Sequence, residues 1–307
     1  MPVLALGGVA LAAGLVVGSR QHTATTEAAA AASQPARRPA QAGSRAAVVA
    51  RPAALLSGPA AVRAPLADMT APAAIVVDAR SGRVLWAKRP HQRRQIASTT
   101  KIMTALLALR RLGPHDVVTV PPGAPRVPLV REGLRAGERV QAWKLFYGLL
   151  LYSGNDDALA LAVAAGGTRA AFVREMNAEA ERLGLGDSHF TSTSGVIDDD
   201  NYSSAWDLAA LTRVALRDPR FRTIVHRRKI EVPWSAPTFA KEYVNKNRLL
   251  SLYPGATGVK TGYTHEAGPC LVATATRGGH SLIAVVLDSR DMYADAAKLL
   301  DLGFETL

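Results

Sequence analysis

Cysteine is nearly absent from this sequence, because Cys270 is the only one among 307 residues. One cysteine cannot form an intrachain disulfide, and it also excludes the Cys-x-x-Cys pairs of zinc and redox sites. Cys270 opens the apolar stretch 270–273, so we interpret it as a small core residue rather than a reactive thiol. His265 and Glu266 begin like a zinc-protease motif, but Pro269 stands where the second histidine is required. We therefore expect neither a metal nor a cofactor.

Acidic residues are too few to balance the basic ones, at 25 against 37, which leaves a formal net charge of +12. Arginine supplies most of the basic side chains, since the chain has only eight lysines. The basic residues are scattered and lack the clustering and interleaved aromatic residues of a nucleic-acid-binding face. The charge therefore indicates a general attraction to an anionic surface, and we expect no nucleic-acid partner.

Aromatic residues are missing from the first 70 positions. Residues 21–70 are rich in alanine, proline, arginine and threonine and cannot bury a core, so we predict a disordered tether there. The apolar run 3–18 has about the length of a signal-peptide core and is short for a membrane-spanning helix. We interpret residues 1–20 as a signal peptide or membrane anchor. This places the protein outside the cytoplasm, in the cell envelope, either secreted or attached to the membrane by its N-terminus.

Regular patterning begins near residue 71. The apolar runs 74–77 and 84–87 flank a turn with glycine, which predicts a β-hairpin. Strands at both ends of the folded part, with helices between them, predict an α+β domain in which N- and C-terminal strands share one antiparallel sheet. Helical periodicity fits 102–109, 143–151, a segment from 156, 170–183, 205–216 and a short closing helix, and strand-like runs occupy 258–264, 270–276 and 281–287.

Three short motifs follow one another in the folded part and contain two of the eight lysines. Each alone is a weak signal, because such strings arise by chance in a chain of this length. Their joint occurrence, each in the structural context that its chemistry needs, indicates a catalytic site. The motifs are Ser98-Thr99-Thr100-Lys101, Ser153-Gly154-Asn155 and Lys260-Thr261-Gly262.

Ser98 and Lys101 are three residues apart, a spacing that places both side chains on one face of a helix. A neutral lysine amine can take the proton of a serine hydroxyl and turn it into a nucleophile. Burial and a nearby cation, for which Lys260 is the candidate, would lower the pKa of Lys101 enough for this role. The backbone N–H of Ser98 at the helix start also suits an oxyanion.

The other two motifs carry groups suited to proton relay and to substrate binding. Ser153 can relay a proton, and Asn155 can orient Lys101 and hold a substrate amide. Lys260 and the Thr261 hydroxyl form a docking point for a carboxylate, and Gly262 lets a ligand backbone approach the strand edge.

The motif set resembles the signature of penicillin-recognising serine enzymes, a group that includes penicillin-binding proteins and β-lactamases. Longer strings are similar to the low-molecular-mass D-alanyl-D-alanine carboxypeptidases, over roughly residues 71–307. This resemblance implies a β-lactamase/transpeptidase-like α+β domain whose antiparallel sheet is flanked by a helical cluster. The strings are 96–104, 149–156, 202–208, 253–255 and 258–264.

The resemblance also implies a reaction on peptidoglycan stem peptides that end in D-Ala-D-Ala. Ser98 would attack the carbonyl of the penultimate D-alanine and expel the terminal one, and water would hydrolyse the acyl-enzyme. Lys101 would be the general base, and Ser153 and Asn155 would complete the proton network. β-Lactams would be covalent inhibitors.

Substrate binding is implied for the third motif. Lys260 and Thr261 would hold the terminal carboxylate, and the backbone N–H groups of Ser98 and Tyr263 would form the oxyanion hole. The segment 193–196 departs from an Asn-Pro-x-Gly-Leu-like string that is common in the family. Many relatives add a small β domain and an amphipathic C-terminal anchor. The printed sequence ends at Leu307 without them, so we expect any membrane attachment at the N-terminus.

Three alternatives stay open from the sequence. A D,D-endopeptidase would use the same residues to cut peptidoglycan cross-links. A catalytically idle peptidoglycan-binding module would keep the fold without the reaction, although the intact motif residues argue against it. A β-lactamase is disfavoured, because Gly154 stands where class A enzymes carry aspartate and their deacylating glutamate has no obvious counterpart.

Overall fold

A computed structural model describes residues 55–57, 66, 68–196, 200–234 and 240–307 of the chain. The predicted signal or anchor segment, 1–20, and most of the predicted tether lie outside these residues. Within the described ranges, no helix is long and apolar enough to cross a membrane.

The described residues form eleven strands and eight α-helices. The strands are β1 (Ala73–Asp78), β2 (Val84–Lys88), β3 (Arg94–Gln95), β4 (Val117–Thr119), β5 (Arg139–Gln141), β6 (Tyr202–Ser203), β7 (Lys229–Val232), β8 (Lys241–Val244), β9 (Ala256–Gly262), β10 (Cys270–Arg277) and β11 (His280–Leu287). The helices are α1 (Lys101–Arg111), α2 (Ala142–Tyr147), α3 (Asn155–Gly166), α4 (Arg169–Leu183), α5 (Ala205–Ala215), α6 (Pro219–His226), α7 (Leu249–Leu252) and α8 (Met292–Thr306). Short 3₁₀ turns occupy Ala97–Thr100 and Ala124–Arg126, and a π-helical turn occupies Gly148–Tyr152.

The main sheet has five antiparallel strands in the order β2-β1-β11-β10-β9. Strand β1 lies between β2 and the C-terminal strand β11, because Val76 is opposite Trp86 on one side and Ala284 on the other. The α+β prediction, with N- and C-terminal strands in one antiparallel sheet, is therefore confirmed. Cys270 is buried in β10, as expected for a core residue, and burial raises the pKa of its thiol to about 12.

Both faces of the sheet are buried, and the strand period of two divides their side chains between two cores. Ile75 and Val77 face the helical layer, whereas Ala74 and Val76 face the opposite side. Helix α5 packs on the first face and α8 covers the second. A methyl group on Gly303 would lie 2.6 Å from Leu282 Cδ1, so this glycine lets α8 approach the sheet closely.

Helix α1 lies in the middle of the helical layer, and all of its residues from Lys101 to Leu109 are buried. It packs against α3, α5 and α6. A helix enclosed on all sides presents its first residue to the interior rather than to solvent. This placement explains why Lys101, at the start of α1, is a buried lysine.

Three predicted elements differ from the structure in their bounds. The closing helix, expected to be short, is α8 with 15 residues. The predicted helix 143–151 is α2 followed by the π-helical turn, and the predicted strand 258–264 is β9, which ends at Gly262. Three small two-stranded sheets, which pair β3 with β6, β4 with β5 and β7 with β8, were not predicted.

Contacts also extend before residue 71, into the segment predicted as a tether. Leu56 is buried, and Ser57 forms a parallel bridge with Arg83. The Thr70 hydroxyl donates a hydrogen bond of 2.7 Å to Asp295 in α8.

Candidate active site

The first motif forms a tight turn at the entrance to α1. Ser98 lies in the 3₁₀ turn Ala97–Thr100, directly before the first helical residue, Lys101. Ala97 has a left-handed φ of 46°, and the Thr99 amide and hydroxyl both donate to the Ile96 carbonyl, at 3.2 and 2.7 Å. A non-glycine residue in this conformation is strained, and such strain is typical of functional sites.

Lys101 links the first two motifs. Its amine, in a side chain with no solvent exposure, donates to Ser98 Oγ at 2.9 Å and to Asn155 Oδ1 at 2.8 Å. A third bond of 3.2 Å goes to the backbone carbonyl of Ser194. The nitrogen therefore lies within proton-transfer distance of the serine hydroxyl and is oriented by two further acceptors.

The charge state of Lys101 is set by its surroundings. Burial lowers its pKa well below the usual value, and the positive charge of Lys260 lowers it further. Burial and the charge of Lys246 also lower the pKa of Lys260, to about 7. A lysine with a depressed pKa can lose its proton near neutral pH and accept one from serine.

The second motif ends the π-helical turn and begins α3. Ser153 is buried and adopts a left-handed φ of 73°. Asn155 donates its side-chain Nδ2 to the Pro128 carbonyl at 2.8 Å, and its backbone N–H to the Val130 carbonyl at 2.8 Å. These bonds fix the amide so that its oxygen, not its nitrogen, faces Lys101.

The third motif lies on β9, an edge strand of the main sheet. Lys260 is buried, Thr261 is partly exposed, and Tyr263, just after the strand, is 67% exposed. A methyl group on Gly262 would lie 2.8 Å from the Ile96 carbonyl and 3.1 Å from the Ser98 backbone nitrogen. The glycine therefore permits the close approach of β9 to the serine turn, and it brings the first and third motifs together.

The loop 192–196 contains groups that the sequence did not identify. The Ser194 carbonyl bonds Lys101, and the Thr193 carbonyl accepts from Thr104 at 2.6 Å. Gly195 has a φ of 73°, and a methyl group on it would lie 2.0 Å from the Ala97 carbonyl. A backbone carbonyl leaves no signal in the sequence, and the departure of this segment from the family string was the only indication.

Asp156 is a second residue that the sequence did not identify. It is buried, and its carboxylate accepts three backbone N–H bonds from residues 132–134, between 2.9 and 3.0 Å. It therefore holds this loop against the start of α3, where Asn155 stands. Across the described ranges, no group of three His, Cys, Asp or Glu side chains could hold a metal ion.

The sheet, its helical layers and the serine–lysine pair at the start of a buried helix define the β-lactamase/transpeptidase-like class. The solved Streptomyces K15 DD-transpeptidase is 35% identical with a TM-score of 0.73, over 77% of this chain and 98% of that one. An evolved penicillin-binding protein homologue from Mycobacterium tuberculosis is 32% identical with a TM-score of 0.75, over 80% and 95%.

The family model for D-alanyl-D-alanine carboxypeptidase matches residues 59–291, and the chain belongs to that family. The D-alanyl-D-alanine carboxypeptidase of Streptomyces sp. strain K15 is 38% identical over 247 residues, 73% of this chain and 84% of the relative. DacF of Bacillus subtilis is 33% identical over 242 residues, 76% of this chain but only 61% of its own length. The resemblance read from the motifs is thereby confirmed at the level of family and fold.

Proposed function

We propose that this protein is a serine-type D-Ala-D-Ala carboxypeptidase that removes the terminal D-alanine from peptidoglycan stem peptides through an acyl-enzyme on Ser98. The observation that carries the proposal is the bond of 2.9 Å between the fully buried amine of Lys101 and Ser98 Oγ. Family membership supports it as well. β-Lactams would acylate the same serine, and neither metal nor cofactor is needed.

In the acylation step, neutral Lys101 takes the hydroxyl proton while Ser98 Oγ attacks the carbonyl carbon of the penultimate D-alanine. The peptide C–N bond then breaks, and the proton passes to the leaving amine of the terminal D-alanine, directly or through Ser153. In deacylation, Lys101 takes a proton from water, hydroxide adds to the ester, and Ser98 leaves as the alcohol. Asn155 keeps the lysine oriented in both steps.

Substrate binding rests on the edge of β9. Lys260 supplies the charge for the terminal carboxylate, with the Thr261 hydroxyl beside it. An extended peptide can add to this strand by backbone hydrogen bonds. The N–H groups of Ser98 and Tyr263 are the proposed oxyanion donors. We place the protein outside the cytoplasm, with residues 1–20 as the export or anchoring segment.

The acyl-enzyme has a second fate. The name DD-transpeptidase on the structurally similar Streptomyces K15 protein favours transfer to an amine as the second candidate activity. Both activities share the acylation step and differ only in whether water or an amine attacks the ester.

The test is a product analysis with the full chain and its Ser98→Ala variant. Chromatography with mass spectrometry would follow a stem pentapeptide and a cross-linked muropeptide, each with and without an added glycine acceptor. We expect free D-alanine from the pentapeptide with wild type and none with Ser98→Ala. Cleavage of only the cross-linked substrate would favour the endopeptidase. A peptide–glycine product in place of the hydrolysed one would favour the transpeptidase, and no product with wild type would favour the idle module.

A further inference from the structure

Behind the turn of the second motif lies a buried polar cluster that the proposed mechanism does not use. Asp157 has no solvent exposure, and the Glu132 side chain is only 2% exposed. Lys241 Nζ donates to Glu132 Oε1 at 2.9 Å and also lies over the Trp234 ring, 3.7 Å from its centroid. The cluster therefore combines two carboxyl groups with one ammonium in the interior.

The two carboxyl groups face each other across the bare Cα of Gly148. A methyl group there would lie 2.2 Å from Glu132 Oε2 and 2.4 Å from Asp157 Oδ1. Both oxygens therefore lie close to one point beside the Gly148 Cα. Among the described residues no hydrogen bond reaches Glu132 Oε2 or either oxygen of Asp157, and the neighbouring Tyr243 hydroxyl has no partner either. Two carboxylates have no proton to share, and burying an unpaired carboxylate is costly.

We propose that Asp157 is a protonated carboxylic acid at neutral pH that donates its proton to Glu132 Oε2, and that it is thereby a positioning residue for the serine–lysine pair. One proton makes the cluster neutral, with Glu132 as the carboxylate partner of Lys241. It also supplies the donor that the facing oxygens lack.

The surroundings decide which of the two carboxyls holds the proton. Lys241 compensates a negative charge on Glu132 directly, whereas no ion pair to Asp157 occurs among the described residues. Burial, the charge of Glu132 and the charge of Asp156 all raise the pKa of Asp157. The titratable or charged groups that act on this site are Glu132 in the preceding loop, Asp156 in α3, Lys241 and Tyr243 in β8, and Lys101 in α1.

The neutral form of Asp157 affects the second motif through packing. A methyl group on Gly154 would lie only 1.9 Å from Asp157 Oδ2, so the carboxyl packs tightly under the turn that carries Ser153 and Asn155. A carboxyl that is held by Glu132 fixes this turn from below. An ionised Asp157 would be repelled from Glu132 and would disturb that packing.

The neutral form also matters for Lys101 through charge. A negative charge on Asp157 raises the pKa of Lys101 and opposes the effect of Lys260. A protonated Asp157 removes this influence, so Lys101 loses its proton at lower pH and is a better base. This second part of the inference rests on the proposed function, whereas the shared proton does not.

Two measurements on the full chain test the inference, with Asp157→Asn, Glu132→Gln and the double variant. The first is infrared spectroscopy at neutral pH. We expect a carbonyl band of a protonated carboxyl in wild type that is missing in Asp157→Asn. Absence of a band assignable to Asp157 in wild type would overturn the proposal, whether or not the protein reacts with penicillin.

The second measurement is the pH dependence of acylation by benzylpenicillin. Asp157→Asn keeps a neutral donor to Glu132, so we expect a rate within about threefold of wild type and an unchanged acid limb. Glu132→Gln frees Lys241 to pair with Asp157, which then ionises and moves the acid limb up by about one pH unit. The double variant should return the limb to the wild-type position.

The outcomes separate the two claims. An acid limb that does not move in Glu132→Gln, or that moves equally in the double variant, would contradict a role for Asp157 charge. Circular dichroism and thermal unfolding of each variant identify any loss of fold. If Glu132→Gln does not fold, the comparison of the infrared spectra of wild type and Asp157→Asn still tests whether Asp157 is protonated. A wild type that shows the Asp157 band but never acylates would overturn the proposed function and leave the shared proton intact.

Discussion

The proposed mechanism requires opposite protonation states of two buried lysines. Lys101 is fully buried and Lys260 is 1% exposed, and each can serve only in one protonation state. Lys101 must be neutral to take a proton from Ser98, whereas Lys260 must be charged to attract a carboxylate. Burial lowers both pKa values, and the charge of Lys260 lowers that of Lys101 further. In the proposed mechanism, the cation for the substrate carboxylate therefore also helps to activate the base.

The pKa of Lys260, about 7, should make the proposed carboxylate binding pH-dependent. Below pH 7 the amine is mostly charged, and above pH 7 its charged fraction falls, up to tenfold per pH unit. We expect the dissociation constant of a peptide ending in D-Ala-D-Ala to rise above pH 7, measured by calorimetry on Ser98→Ala, which cannot react. A peptide ending in D-alanine amide is the control. Equal, flat profiles for both peptides from pH 6 to 9 would contradict the role of Lys260.

At the scale of elements, the site depends on how closely β9 approaches the turn before α1. Gly262 is the point of contact, because the Ile96 carbonyl and the Ser98 nitrogen lie where its side chain would be. A strand that moved away would take Lys260 and Thr261 with it. In the proposed mechanism, the spacing between strand and turn therefore sets the distance between the Ser98 hydroxyl and a substrate on β9.

Gly262→Ala should separate these elements. Its methyl group meets backbone atoms that cannot move aside cheaply, so we expect at least about a tenfold slower acylation by penicillin, since misplacement of about 1 Å can cost up to a hundredfold. The matched control is Gly186→Ala, whose methyl group has no neighbour within 4 Å. Equal acylation rates for the two variants would show that the approach is not critical.

Local sequence patterns predicted which helices and strands form better than they predicted the residues at which these elements begin and end. The apolar runs 74–77 and 84–87 around a turn with glycine predicted the hairpin β1–β2, because both signals are local in the sequence. The end of β9 at Gly262 and the π-helical turn before Ser153 depend on contacts with distant residues. The motif residues were recognisable as side-chain types. The Ser194 carbonyl and the Glu132–Asp157 contact arise only when separate segments meet, so no local pattern could predict them.

At the scale of the whole molecule, hydrogen bonds connect the segment before β1 with the last helix, α8. Asp295 in α8 accepts hydrogen bonds from the Thr70 hydroxyl at 2.7 Å, the Ala71 backbone N–H at 2.8 Å and the Ser289 hydroxyl at 2.7 Å. Burial acts to raise the pKa of Asp295, but hydrogen bonds from Ser289, Thr70 and Ala71 outweigh it and lower the pKa. The carboxylate thus ties the entry to β1 onto the last helix.

Asp295→Ala should lower the free energy of unfolding by about 2–3 kcal/mol at pH 7, because two buried donors and the partly buried Thr70 hydroxyl lose a charged acceptor. The pKa of Asp295 is lower in the folded state than in the unfolded state. Its contribution to stability is therefore fully present at a pH above the unfolded-state pKa, and it is lost as the pH falls through the folded-state pKa. Urea unfolding at pH 7 and near pH 3 measures the difference in the free energy of unfolding between wild type and Asp295→Ala, which we expect to be smaller near pH 3. Glu242→Gln, which removes an exposed ion pair with Lys229, is the control and should cost less than about 1 kcal/mol. A gap that is constant with pH would contradict the account of Asp295.

The central claim is that the three motifs converge on one reactive serine, and intact-protein mass spectrometry tests it most directly. The full chain and its Ser98→Ala variant would be incubated with benzylpenicillin and sampled from seconds to hours. The account predicts an adduct of one penicillin on wild type, located on the peptide that contains Ser98, and none on the variant. No adduct on wild type at any time, or an equal adduct on Ser98→Ala, would contradict it.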